Sequence, residues 1–240
     1  MSLHQIALAN DCAVCKGEGD NCFVDDRGVI YCNNVLISYP ADCTEKEYTV
    51  DARTVTIGEE AFHGNYYLEK VILQEGVMFI EDYAFMGTPI KEIILPDSLL
   101  LIKSSAFDCC CHLENIIFPP NLYAIGESAF SDCYGLTSVT IPASVRFIGE
   151  MAFNCTNIDD ITLEGDRYDI SKNFLYPLEL HYADIPITVH VGAYHEEDNG
   201  ELINFSLRES FPEWADIIYL YDIHNDSCWC SSCKNKNKEK

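Results

Sequence analysis

The sequence predicts a repeat solenoid, in which the chain winds into stacked coils of nearly equal length. Three observations predict it: the dipeptide Ala-Phe recurs every 22 or 23 residues, short apolar segments follow each copy at a fixed distance, and proline often ends these segments. The copies are Ala61-Phe62, Ala84-Phe85, Ala106-Phe107, Ala129-Phe130 and Ala152-Phe153. One such coil cannot bury its apolar side alone and is stable only when stacked on its neighbours. Function is therefore expected on a long repeated surface rather than in one enclosed pocket.

The segment after each Ala-Phe has the alternation of a short β-strand. In Val71-Ile72-Leu73 the outer two residues point to one side and the middle residue to the other, as in a strand with one buried face. Equivalent segments lie at 68–73, 90–95, 113–118, 136–141 and 158–163. Stacked coils should pair these strands in parallel, about 4.8 Å apart, into a narrow sheet. The expected fold class is a right-handed β-rich solenoid with this sheet on one side and short irregular or 3-10 turns on the other.

Proline is expected to stop the strand, since its nitrogen carries no hydrogen for a ladder, and it does so at Pro96, Pro119 and Pro142. The chain then returns two apolar residues to the core, such as Val77 and Ile80 in the first coil. Alanine follows, whose small side chain lets the backbone come close, and phenylalanine fills the centre of the coil. We expect the rings of successive coils to stack into a spine, with each Phe→Ala truncation costing about 3 to 5 kcal/mol.

The composition limits the classes of partner. Lys and Arg number 15 against 39 Asp and Glu, for a net charge of −24, and 48% of the residues are hydrophobic. Phosphate binding needs a basic patch, so nucleic acid is not expected as a partner. The large apolar fraction can form a core spread along the solenoid axis. No stretch approaches the length of about 18 apolar residues that a transmembrane helix requires, so none is expected.

The repeat unit resembles a known family. The pattern Ile-Gly-Glu-x-Ala-Phe-x-x-Cys-x-x-Leu-x-x-Val-x-Ile-Pro, which is most complete at 125–142, is similar to the BspA-type (Treponema pallidum-type) leucine-rich repeat of bacterial and protist surface proteins. The resemblance covers roughly 55–164. Upstream, 28–50 resembles the irregular first coil of such domains. Downstream, Ile187-Thr-Val-His-Val and Phe211-Pro-Glu-Trp-Ala resemble their closing segment.

This resemblance implies a domain organisation and a function. The expected divisions are a cysteine-containing N-terminal segment at 1–27, a capping coil at 28–54, five repeats at 55–165, a C-terminal cap at 166–226 and a flexible tail at 227–240. The family implies a non-enzymatic scaffold for protein recognition or adhesion, at the cell surface or secreted. Residues 1–10 lack the basic start and long apolar core of a signal peptide, which favours a cytoplasmic alternative unless a leader is missing.

One candidate binding surface lies on the strand side. The residues expected to face solvent there, between the buried positions of each strand, are Ile72, Ile94, Ile117, Thr140 and Thr162. An exposed apolar stripe on a sheet is typical of a contact surface. The alternative is that β-branched residues are there because they suit a sheet. The pattern leaves both interpretations open.

A second candidate surface lies between the two returning apolar residues, where this type of repeat generally has polar residues. Phe79, Leu101 and Phe147 are expected to form an apolar ridge for a protein partner or a second subunit, so that a homo-oligomer is possible. The alternative is burial of these side chains beneath a neighbouring segment. Replacing Phe79 and Leu101 with glutamate should disturb association without unfolding the chain if the ridge is exposed.

The cysteines of the repeats are expected to be structural. Cys110 and Cys133 lie three residues after the repeat Phe, Cys155 lies two residues after it, and Asn65 has the matching place in the first coil. A short polar or thiol side chain there can meet backbone groups left open where coils stack. Cys111 and His112 are not expected to form a catalytic pair, because adjacent residues rarely face each other and no Asn or Asp can be assigned to orient the histidine. No catalytic motif or nucleotide loop is present, so no enzyme activity and no cofactor are expected.

The terminal cysteines are not explained by the repeat. Cys12-Ala-Val-Cys15 has the spacing of a zinc knuckle. Four thiolates could come from Cys12, Cys15, Cys22 and Cys32, or alternatively from Cys12, Cys15, Cys230 and Cys233. Free thiols in flexible termini are the simpler interpretation, with no metal bound. The alternative function is a thiol- or zinc-linked assembly module that joins subunits through these termini.

Overall fold

The computed structural model describes residues 21–165, 169–171, 174–175, 188–191 and 216–219. In this part the chain forms a solenoid of short strands joined by turns, with no helix. The strands are β1 Cys22–Val24, β2 Ile30–Cys32, β3 Val35–Ser38, β4 Glu47–Thr49, β5 Thr56–Ile57, β6 Lys70–Ile72, β7 Phe79–Ile80, β8 Glu92–Ile94, β9 Leu101–Ile102, β10 Ala124–Ile125, β11 Ser138–Ile141, β12 Phe147–Ile148, β13 Asp160–Leu163, β14 Asp169–Ile170, β15 Thr188–Val191 and β16 Asp216–Tyr219.

The strands predicted after each Ala-Phe form two separate parallel sheets. Sheet B has the order β4-β6-β8, and sheet C has the order β11-β13-β15-β16. Their register repeats from coil to coil, with Val71 opposite Ile93 and Val139 opposite Ile161. The parallel sheet on one side of the solenoid is thus confirmed, and sheet C continues through two strands beyond residue 165.

The segment 113–118, which was predicted to be a strand, separates sheets B and C. A single bridge between Glu92 and Asn115 links it to β8. Its Phe118 occupies the place that leucine or isoleucine has in the other coils, and the larger ring packs edge-on against Phe130 and Phe153, with centroids 5.5 and 6.5 Å away. Pro119 and Pro120 follow and cannot donate hydrogen bonds. Pro96 and Pro142 follow regularly paired strands at the place of Pro119, so the bulkier Phe118 and the second proline, Pro120, are what distinguish this coil.

A third sheet, sheet A, lies on the side of the solenoid where irregular or 3-10 turns were expected. Sheet A has the order β1-β2-β3-β5-β7-β9-β10-β12-β14 and begins with an antiparallel ribbon of β1, β2 and β3. From β3 onward its strands are parallel and mostly two residues long. Because successive coils have nearly equal length, their returning isoleucines come into register, as Ile102 does with Ile125. Two extended residues per coil are enough for a continuous ladder.

The predicted phenylalanine spine is confirmed and forms the centre of the core. The rings are stacked, with centroids 4.5 Å apart between Phe62 and Phe85, 5.0 Å between Phe85 and Phe107, 5.0 Å between Phe107 and Phe130, and 5.3 Å between Phe130 and Phe153. Each ring is at most 1% exposed. Tyr39 extends the stack into the first coil, 5.1 Å from Phe62. Stacked aromatic rings contribute packing energy beyond the area they bury.

Two residues of each turn adopt the left-handed backbone conformation. One precedes the repeat alanine, with φ between 50° and 59°: Glu60, Tyr83, Ser105, Ser128 and Met151. The other lies two residues after the repeat phenylalanine: Gly64, Gly87, Cys109, Asp132 and Cys155. For residues with a β-carbon this conformation costs roughly 1 to 2 kcal/mol. The stacking of the coils therefore holds local strain at most of these positions.

Replacing Ser128 with glycine is expected to raise the free energy of unfolding by about 1 kcal/mol, because glycine adopts φ of 52° without a steric penalty. Replacing it with valine should lower that free energy, because a β-branched side chain tolerates this conformation poorly. Ser138→Gly is the control, since Ser138 is an exposed strand residue where glycine should destabilise. Urea denaturation of the three variants checks this. A loss of stability in Ser128→Gly would contradict it.

Candidate protein-binding surfaces

The residues predicted to face solvent on the strand side do lie on one surface, which we call the strand face. It is the outward side of sheets B and C and of the segment between them. Ile94 is 42% exposed and Ile117 is 84% exposed, whereas the residues that alternate with them, Ile93 and Ile116, are buried. Thr140 is exposed, and Ile72 and Thr162 are half-buried. Ile72 pairs in register with Ile94, and Thr140 with Thr162. The most exposed of these isoleucines, Ile117, therefore lies in the segment that separates sheets B and C.

His190 also belongs to this row and was not predicted to do so. It lies opposite Thr162 in register, and its Nε2 is 3.5 Å from an oxygen of Asp160. Its Nδ1 is buried and has no hydrogen-bond partner among the described residues. The sequence offered no signal for this position, because the stretch before β15 contains no Ala-Phe from which the register could be counted.

Charged pairs surround the N-terminal part of the strand face. Glu69 contacts both Lys46 and Lys91, at 2.7 Å in each case, and Lys70 lies 3.2 Å from Glu92. Hydrogen bonds from the two lysines lower the pKa of Glu69 to about 2. Exposed pairs of this kind contribute little stability. Their effect is to neutralise the charge next to Ile72, so that the apolar side chains of the face are bordered by paired rather than isolated charges.

The predicted ridge forms on the outward side of sheet A. Phe79, Leu101 and Phe147 lie in register, with Ala124 between the last two. Phe79 and Leu101 are half-buried, and Phe147 is 44% exposed. Tyr123 is 47% exposed and makes an edge-to-face contact with Phe147, with ring centroids 5.5 Å apart. The apolar surface of the ridge is therefore greatest at this aromatic pair.

The buried thiols of the repeats serve the stacking of the coils. Cys110 Sγ donates to the carbonyl oxygen of Phe85, and Cys133 Sγ donates to that of Phe107, each at 3.1 Å. Burial raises the pKa of Cys110 to about 12, so this thiol stays protonated and is a poor nucleophile. The corresponding residues of the other coils are Asn65, Thr88 and Thr156. Cys155 was grouped with these cysteines, but it lies in the left-handed turn position, and Thr156 has the buried place.

One group of side chains could hold a metal ion. Ligand atoms of Asp108, Cys109 and Asp132 all lie within 4.8 Å of one another. One carboxylate oxygen of Asp108 is buried without a hydrogen-bond partner among the described residues. Burial and the neighbouring carboxylates raise the pKa of Cys109 to about 11. At neutral pH the thiol is therefore protonated, which makes this a weak set of metal donors.

The structure bears on one of the two predicted sets of zinc ligands. Cys22 and Cys32 form a disulfide that joins β1 and β2. They therefore cannot supply thiolates to a set with Cys12 and Cys15, and that alternative is corrected. The other set, which consists of Cys12, Cys15, Cys230 and Cys233, lies outside the described residues.

Comparison with known proteins identifies the repeat. Residues 41–154 and 78–195 match the BspA type leucine rich repeat region, in 6 copies. No curated protein sequence matches the chain. Within the described residues, no helix has the length and apolar character needed to cross a membrane.

Three solved structures share the fold. The pneumococcal vaccine antigen PcpA has a TM-score of 0.69 at 24% identity, over 85% of this chain and 49% of that one. The T. pallidum leucine rich repeat protein TpLRR has a TM-score of 0.55 at 24% identity, over 82% of this chain and 96% of that one. A leucine rich cell surface protein from Faecalibacterium prausnitzii A2-165 has a TM-score of 0.53 at 26% identity, over 63% of this chain and 39% of that one. The chain thus spans about half the length of the PcpA structure.

Proposed function

Because the chain belongs to the BspA-type leucine-rich repeat family, we propose that it is a non-enzymatic scaffold that binds a protein partner through its strand face. The binding surface is centred on Ile94 and Ile117, with Ile72, Thr140 and Thr162 extending it along the row. The repeat core supports these side chains on the outward side of sheets B and C and of the segment between them. Such a surface can recognise a partner through exposed residues that do not contribute to stability.

The exposure of Ile117 is the observation that carries this proposal. An isoleucine that is 84% exposed gains nothing from packing within its own chain. Ile94 adds a second exposed apolar side chain from the preceding coil. Neither position needs an apolar residue for folding, since Thr140 and Thr162 have the same place in later coils. Contiguous exposed apolar side chains bordered by polar residues are typical of protein contact surfaces.

The charge of the chain supports a partner with a positive surface. With a net charge of −24, the protein attracts cationic proteins and repels anionic ones at long range. Glu114 and Asp159 each directly precede a segment of the strand face, are exposed, and form no ion pair with another described residue. A partner with basic residues around an apolar centre would match this distribution.

A location at the cell surface is part of the proposal. Among the proteins that share the fold, one is described as a cell surface protein and another as a vaccine antigen. The disulfide between Cys22 and Cys32 also agrees with an oxidising compartment, because disulfides rarely persist in the cytosol.

Photo-crosslinking in the source cell tests the proposal. A photoreactive amino acid at position 117 is expected to form a crosslink with one protein, which mass spectrometry identifies. The same probe at position 63, an exposed residue of a turn, is the control and should give little of this product. Equal yields at both positions, or no product at position 117, would contradict binding through the strand face.

A further inference from the structure

Sheet A carries an exposed feature that the strand face does not explain: an aromatic pair beside two exposed glutamates that form no ion pair with another described residue. We propose that this surface is a second binding site, for a protein segment that combines an apolar anchor with lysine or arginine residues. The site consists of Tyr123, Phe147, Glu127 and Glu150. It lies on a different sheet from the strand face, so its existence does not depend on that surface.

The apolar part of the site is formed by two coils. Tyr123 and Phe147 are each nearly half exposed, and their rings meet edge to face. Ala124 lies directly opposite Phe147 in the ladder and fills little space above the sheet. The small side chain of Ala124 therefore leaves a shallow depression beside the two rings. An aliphatic or aromatic side chain of a partner could pack there and remove both rings from water.

The acidic part of the site is a row parallel to the ridge. The position two residues after the returning isoleucine of sheet A is acidic at Glu59, Asp82, Glu127 and Glu150, and it is Ser104 in the coil between Asp82 and Glu127. Glu127 and Glu150 are exposed and belong to neighbouring coils, which stack about 4.8 Å apart. Neither forms an ion pair with another described residue. Two adjacent carboxylates without a cation repel each other, and a cationic partner would relieve that repulsion.

Two basic residues of the same part of the chain, Lys103 and Arg146, form contacts with groups other than Glu127 and Glu150. Lys103 forms an ion pair with Glu81. Arg146 donates hydrogen bonds to the carbonyl oxygens of Ala143 and Val145. Neither cation forms an ion pair with Glu127 or Glu150, so the two carboxylates remain open to an external group.

The spacing specifies the ligand further. Glu127 and Glu150 each lie in the turn directly after a two-residue strand, three residues after Ala124 and Phe147, so a carboxylate follows the apolar residues in both coils. A ligand should therefore present a basic side chain close to its apolar side chain. An arginine could also stack on the exposed aromatic faces. A second copy of this chain is disfavoured as the occupant, because its own acidic row would face Glu127 and Glu150.

A synthetic peptide provides the direct test. The probe is a labelled twelve-residue peptide of alternating leucine and lysine, and its affinity for the full chain is measured by fluorescence anisotropy at physiological salt. The double variants Glu127→Gln/Glu150→Gln and Tyr123→Ser/Phe147→Ser should each weaken binding about five-fold or more. Glu127 and Glu150 are exposed, so the charge variant should keep the melting temperature of the wild type, whereas the serine variant loses the contact between the two rings and is compared with it at a temperature where both are folded.

Matched controls separate specific binding from general attraction to an acidic protein. Asp42→Asn/Asp97→Asn alters the net charge equally at two exposed positions that belong to neither surface, and it should leave the affinity unchanged. A peptide with glutamate in place of lysine should not bind. Equal weakening by the control pair would overturn the proposal. So would a change in sedimentation of Tyr123→Ser/Phe147→Ser without peptide, since that would show a second copy on this surface.

Discussion

Replacing Phe107 with alanine is expected to lower the free energy of unfolding by about 3 to 5 kcal/mol. Phe107 is fully buried at the middle of the spine, with ring centroids 5.0 Å from both Phe85 and Phe130. The truncation removes both stacking contacts and leaves a cavity between coils that the stack cannot close without breaking the ladders on either side. Urea denaturation followed by circular dichroism measures the loss.

Ile117→Ala is the control for this measurement, since its side chain is largely exposed and should change stability by no more than about 0.5 kcal/mol. A repeat protein transmits the loss to its neighbours, because each coil is stabilised by the next one. Phe107→Ala should therefore also increase protease cleavage in the adjacent coils. A loss for Phe107→Ala as small as that for Ile117→Ala would contradict a continuous aromatic spine.

Replacing Gly126 with alanine is expected to destabilise the fold by about 1 to 3 kcal/mol, because the coils stack too closely for a side chain there. A β-carbon at this position would lie 2.5 Å from the carbonyl carbon of Lys103 and 2.7 Å from the nitrogen of Ser104. Both atoms belong to the backbone of the preceding coil, so the clash can be relieved only by moving the coils apart. Such a shift would strain the pairing of Ile102 with Ile125 in sheet A.

Gly87→Ala separates this steric effect from backbone strain. No atom lies within 4 Å of a β-carbon at Gly87, but its φ of 68° is left-handed. Alanine there should cost about 1 to 2 kcal/mol through local conformation alone. Only Gly126→Ala should separate neighbouring coils, which hydrogen exchange would detect as lost protection of the amides in β9 and β10. Unchanged exchange in both variants would contradict close stacking at Gly126.

Residues that repeat with the Ala-Phe period were predictable from the sequence. The rings of Phe62 and Phe153 mark the first and last repeats of one spine. The period-2 segments predicted β6, β8, β11 and β13 with the correct buried face, whereas the segment at 113–118 forms only a bridge. These features depend on the burial of apolar side chains, which leaves a regular pattern in the sequence. The buried places of Cys110 and Cys133 were predictable for the same reason, but Cys155 was wrongly grouped with them, since Thr156 has the buried place in that coil.

Features that depend on backbone geometry were not predictable. The strands of sheet A are too short to show alternation, so β9 and β10 have no pattern of their own. The left-handed residues include Glu60, Tyr83 and Met151, which give no sign of that conformation. The interruption between sheets B and C follows from one larger ring at Phe118, a size difference that a pattern of apolar residues does not register.

The candidate surfaces were predictable only in part. Period-2 alternation identified Ile94 and Ile117 as outward, but not that Ile117 would be the most exposed isoleucine of the row. The repeat alignment identified Phe147 but not its contact with Tyr123, whose neighbour Ala124 takes the ridge position. His190 lies beyond the last Ala-Phe, so its place in the row required the structure.

The central claim is that Ile94 and Ile117 bind the partner while the repeat core only supports them. The partner identified by crosslinking at position 117 is purified without the crosslink. Its affinity for the wild type and for Ile94→Ser/Ile117→Ser is then measured by isothermal titration calorimetry. Losing two well-packed apolar contacts should weaken binding by about 2 to 4 kcal/mol, or at least thirty-fold, without lowering the melting temperature. Equal affinity of the wild type and the variant would contradict recognition through the strand face.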